Sequence, residues 1–212
     1  MRTSKTRPGY SPNPANQAGE SLEALREAAS ACRACPLWEK ATQTVFGEGP
    51  AHAKIMFIGE QPGDQEDIAG RPFVGPAGQI LTRALAETKI PREQVYVTNA
   101  VKHFKFEFRG KRRLHKKPAD AEIAACHDWL NREIELVAPR LLVALGATAA
   151  HSVLGKPMAI MRNRGKILEY APGISLIITV HPSFLLRVPD EDKDEEYSLF
   201  VRDLKLAEPF LD

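Results

Sequence analysis

Cysteine is scarce: three residues in 212, two of them in one C-x-x-C, cannot build the disulfide framework of a small secreted domain. Long apolar runs are missing as well. No stretch is long enough to span a bilayer, and the opening MRTSKTRPGYSPNPANQAGE lacks the apolar core of a secretory signal. No membrane partner is expected, and a reducing cytoplasm is the expected setting. The net charge is only +2, so bulk charge alone does not point to nucleic acid. There is no internal repeat. Neither G-x-x-x-x-G-K-[ST] nor a clean G-x-G-x-x-G occurs, which removes the common phosphate-binding loops.

What is present suffices for one sizeable core, since 43% of the chain is hydrophobic. Residues 1–19, rich in Pro, Gly, Ser and Asn, read as a disordered tail before a single domain over 20–212, expected to be a monomer. Ser21 is an N-cap for a helix that delivers Cys32 and Cys35 at its end. AKIMFIG, VYVTN, RLLVALG and SLIITV read as buried strands, with helices after Gly78, from Pro118, over ATAAHSVLG and from about Tyr197 to Leu206. Residues 166–170 are a possible further strand. Alternating strands and helices predict an α/β fold, a three-layer α/β/α sandwich around a mostly parallel four-stranded sheet. Such sheets bind ligands beyond the C-terminal strand ends, where the loops after Gly59, Asn99, Gly146 and His181 would meet.

Charge is unevenly spread. Positive residues crowd 102–117, and 190–196 (DEDKDEE) is acidic. GKRRLHKK reads as a basic loop attractive to phosphate, with His115 in its middle. By itself that histidine is an exposed loop residue. Residues 59–78 (GEQPGDQEDIAGRPFVGPAG) read as a loop whose backbone must approach something closely. Its acids, Glu60, Asp64, Glu66 and Asp67, favour a ligand other than phosphate. The alternation Phe104–Phe106–Phe108 marks a strand's packed face or a base-stacking platform. HPSFLLR is either a helix start with core leucines or an apolar wedge of Phe184, Leu185 and Leu186. Cys32, Cys35, His103 and Cys126 make a Cys3His donor set that suits zinc or an iron–sulfur cluster, with buried thiols as the alternative.

GEQPG after the first core strand, TNAVK after the next and HPSFLLR after the last resemble the motifs of the uracil-DNA glycosylase superfamily. CRACPL and EIAAC resemble its family-four branch, which holds a [4Fe–4S] cluster through four cysteines. Three departures, NAVKH in place of NAVKC, the inserted KRRLH and Gln61 in GEQPG, resemble UdgX, the variant that becomes covalently fixed to uracil-containing DNA. The resemblance covers about residues 22–206. It implies excision of uracil from single- or double-stranded DNA, with a [4Fe–4S] cluster on Cys32, Cys35, His103 and Cys126. Phe73 would stack on the flipped base, Asn99 would read its N3–H and O4, and His181 would donate to O2. Gln61 and Asp64 would line the pocket, and Glu60 would stabilise the cationic sugar or orient its attacker. His115 would capture the sugar C1′, with Arg113 holding its loop. Lys111, Arg112, Lys116, Lys117, Ser183 and Arg187 would meet DNA.

Overall fold

The computed structural model describes residues 20–211; the expected disordered tail at 1–19 lies outside them. Ser21 caps helix α1 (Leu22–Ser30), its hydroxyl accepting from the Ala24 N–H at 3.1 Å. The four apolar runs form β1 (Ile55–Gly59), β2 (Tyr96–Asn99), β5 (Leu141–Leu145) and β7 (Ile174–Thr179). They pair in parallel, and a fifth strand, β6 (Ile167–Ala171), joins the edge antiparallel to β7, giving the order β2-β1-β5-β7-β6. The sheet therefore has five strands where four were expected. β6 is only half-buried and lacks the continuous apolar run that marks the others.

Alternation along the strands splits the core in two. Ile55, Phe57, Val97, Val143 and Ile177 face Leu81 and Leu85 of α3 (Pro76–Glu87) and Phe200 and Leu204 of α8 (Lys193–Lys205). Met56, Ile58, Leu142, Leu176 and Ile178 face Leu130 and Ile134 of α4 (Asp120–Val137) and Ala149, Ala150 and Val153 of α5 (Ala147–Leu154). Helix, sheet and helix are the three layers. α8 starts before the expected Tyr197. The acidic run supplies its first turn, where carboxylates complement the helix dipole.

Two segments read as loops are built differently. Inside 59–78 lies a short helix, α2 (Asp64–Ala69), with Glu66 and Asp67 buried. Glu66 accepts the backbone N–H of Gly63 and of Gly75, tying the loop's two ends. The basic loop is an antiparallel hairpin, β3 (Phe106–Arg109) and β4 (Arg112–His115). Gly110 sits at φ +60° in the first turn position, which primed hairpin turns favour for glycine. His115 thus closes a strand rather than riding mid-loop.

Candidate active site

The parallel register brings the strand ends level, with Gly59 beside Asn99 and Leu145 beside Thr179. A cavity of about 900 Å³ opens there, and its wall includes Glu60, Phe73, Asn99, Gly146, His181 and His115. Gly59 ends β1 just before the first of these residues. A Cβ there would stand 2.4 Å from Asn99 Oδ1 and 2.7 Å from Phe73 Cζ, so only glycine lets both side chains lie where they do. Phe73 adopts φ +57°, a left-handed conformation uncommon for an aromatic residue. Its carbonyl packs where Gly78 would carry a Cβ. Its ring lies 6.3 Å from that of His181, tilted by 31°.

His181 caps α7 (Pro182–Leu185), a single turn, through Nδ1, which accepts from the Ser183 backbone N–H at 3.2 Å. The Ser183 hydroxyl lies 2.8 Å from the same nitrogen, so this expected DNA contact is occupied in holding the imidazole. An accepting Nδ1 places the ring proton of the neutral form on Nε2. Burial pushes the His181 pKa down to about 4, against the opposing pull of Glu60, so the ring is neutral at physiological pH. A neutral Nε2–H can donate to an oxygen that gains negative charge without carrying a full charge itself. Of the three apolar residues that follow, Leu185 is buried, Phe184 is half-buried and Leu186 is 49% exposed. Only Leu186 fits the expected wedge.

His115 reaches the cavity from β4. Its Nε2 lies 3.2 Å from Glu60 Oε1, and the other carboxylate oxygen accepts from the Thr148 hydroxyl at 2.5 Å. Burial would raise the Glu60 pKa, but these hydrogen bonds and the His115 charge together hold it below the usual carboxylate range. Arg113 fastens the hairpin: Nε to Asp64 at 2.5 Å, Nη1 to Asp67 at 2.6 Å, and the guanidinium 5.1 Å from the Phe106 ring centre. Asp67 also accepts from the backbone and hydroxyl of Thr42. Gln61 and Asp64 do line the cavity, but they are engaged with the hairpin. The Gln61 amide donates to the carbonyls of Lys105 and Lys116 and accepts from the Lys105 N–H. Lys111 and Arg112 stand exposed near the tip, Lys116 pairs with Glu107 at 2.8 Å, and exposed Lys117 and Arg187 rim the cavity.

Of the expected metal donors, Cys35 and Cys126 lie in contact. Cys126 and His103 are buried, and Cys35 packs with Leu37, Val101, Ile123 and Cys126. The Trp129 indole donates to Cys32 Sγ at 3.2 Å, a hydrogen bond suited to a thiolate. His103 Nδ1 is buried without a partner, while Nε2 lies 2.9 Å from the Thr44 hydroxyl. A buried imidazole nitrogen with no partner is costly unless something binds it. Among the described residues no three His, Cys, Asp or Glu side chains converge on a single-ion site. Three free thiols and an imidazole nitrogen without a partner are donors of the kind an iron–sulfur cluster requires.

The family model for the uracil DNA glycosylase superfamily matches residues 46–205. This chain belongs to the uracil DNA glycosylase superfamily. The type-4 uracil-DNA glycosylase of Thermotoga maritima is 39% identical over 193 residues, covering 91% of this chain and 95% of the relative. That of Sulfurisphaera tokodaii is 36% identical, covering 89% and 86%, and that of Archaeoglobus fulgidus 34%, covering 84% and 89%.

Sequence reasoning missed two supports of this superfamily member's site. Thr148 lies in the first turn of α5, directly after Gly146, the one strand end at which no polar residue stood out. The second support is a buried ion pair beneath Asn99. The Lys102 ammonium contacts the Glu133 carboxylate and donates to the Asn99 carbonyl at 2.7 Å, and Glu133 also accepts from Tyr96, Thr98 and the Gly47 N–H. Glu133 falls on the inward face of α4, and that signal was readable only as an acid inside an apolar stripe.

Proposed function

We propose that this chain excises uracil from DNA and captures the resulting sugar on His115, in the manner of UdgX. The observation that carries the capture is the placement of His115 on the cavity wall, within hydrogen-bond reach of Glu60. When the C1′–N1 bond breaks, its electron pair leaves with uracil. The His181 N–H stabilises the charge at O2, and Asn99 matches the N3–H and O4 pattern. The sugar is left as an oxocarbenium ion, as in glycoside hydrolysis. One imidazole nitrogen of His115 gives its lone pair to C1′, and the ring proton passes through the Glu60 carboxylate to solvent. The product ring is neutral and has no activated way to leave. Arg113, Gln61 and Asp64 act by holding the hairpin, while Lys111, Arg112, Lys117 and Arg187 supply positive charge for phosphates.

The test is incubation with a uracil-containing oligonucleotide followed by denaturing electrophoresis and assay of free uracil. A denaturant-resistant adduct formed with release of one uracil is expected. Free uracil released over many turnovers without an adduct would make the protein an ordinary glycosylase, and retention of DNA with no uracil release would make it a binding module.

We further propose that Cys32, Cys35, His103 and Cys126 hold a structural [4Fe–4S] cluster that joins the end of α1 to the base of α4. When bound it would tie these segments together; the glycosylase chemistry requires no electron. Protein purified anaerobically should be brown, with broad visible absorption. His103→Cys should keep the colour, because thiolate is the commoner ligand. A colourless protein with stoichiometric zinc would overturn the assignment.

A further inference from the structure

The three alternating phenylalanines part company in the fold. Phe104 and Phe106 are buried and stacked with ring centres 5.1 Å apart, so the packed-face reading holds for them. Phe108 is 67% exposed and meets Phe106 only edge-on. Directly opposed residues of an antiparallel pair project to the same face, so Phe106, Phe108, Arg113 and His115 share one side of the hairpin. Phe108 therefore stands on the His115 side, about 7 Å further along the strand. Arg109 and Arg112, the pair next to the turn, project to the opposite face, Lys111 sits at the exposed tip, and the nearby acid, Glu107, is paired with Lys116.

We propose that Phe108 is a stacking site for an unpaired base next to the uracil. This rests on the uracil-excision reading and narrows its substrate class to single-stranded DNA. An aromatic ring accepts any base on its π-face, but a base held in a duplex already has stacking partners on both sides. The uracil at His115 and its neighbour at Phe108 would lie along one hairpin face.

The test uses single-stranded oligonucleotides with one deoxyuridine whose neighbour, on either side in turn, is a normal or an abasic nucleotide. The rate of uracil-site consumption, adduct plus free uracil, is measured at limiting protein for the wild type, Phe108→Ala and Phe108→Trp. Removing the neighbouring base on one side should slow the wild type roughly ten-fold. Phe108→Ala should be slower by a similar factor on the normal strand and indifferent to base removal, while Phe108→Trp should behave as the wild type. A wild type indifferent to base removal on both sides, or an alanine variant as fast as the wild type or equally sensitive to base removal, overturns the stacking site. A wild type that consumes no uracil site overturns the excision reading itself, and the two failures are told apart by that arm.

Discussion

The His115→Ser variant should form no denaturant-resistant DNA adduct and should instead release uracil over many turnovers. A serine hydroxyl is a far weaker nucleophile at neutral pH, and it is too short to reach where the imidazole meets Glu60. The leaving-group side of the cavity is untouched. His181 remains capped by Ser183, Asn99 remains over Gly59, and Phe73 keeps its left-handed backbone. With the nucleophile gone and Glu60 still anchored by Thr148, water takes the sugar cation and an abasic site leaves. The check is a two-channel assay, gel-resolved adduct and chromatographed uracil, with protein limiting. An electrostatic clamp would give lost affinity with no gain of turnover. A general base for water would give lost excision. A variant that still cross-links, or yields neither product, contradicts the nucleophile assignment.

Asn99→Asp should slow excision by about 10²–10³-fold, the range observed when a positioned donor to a reacting group is removed. In the proposed reading the carboxylate would replace the N–H donor to uracil O4 with an acceptor, in a position only 3% exposed. It also brings negative charge into a cavity that already holds Glu60. The backbone there stays fixed by Lys102 and the parallel pairing to Gly59, so thermal melting should change far less than the rate. An Asn99→Asp protein with wild-type excision would reduce Asn99 to a strand-end residue and remove it from base reading.

The sheet was legible because its four parallel strands are continuous apolar runs, three ending in Gly59, Asn99 and Gly146 at the points where ligand loops begin. The hairpin was not, because its strands carry charge instead of an apolar run. What orders it is a set of distant partners, Gln61, Asp64 and Asp67, which no local pattern reveals. α2 was hidden for a similar reason: six mostly polar residues between glycines look like a loop until Asp67 is seen buried under Thr42 and Arg113. The identities of His115, His181, Asn99 and Phe73 as candidates came through motif resemblance. Their geometry, above all the approach of Glu60 to His115, came from tertiary packing between segments far apart in the chain.

Gln61 has one more implication, for portability. The amide that follows Glu60 grips both feet of the hairpin, at Lys105 and Lys116, so the segment after β1 that carries the carboxylate also sets where the histidine stands. Glu60 and His115 are thereby indexed to each other through a single side chain. Under the proposed capture, grafting residues 106–115 onto a relative would move His115 without the contacts that place it. The graft would need Gln61, Asp64 and Asp67 as one cassette, and its success would be judged by cross-linking yield rather than by excision.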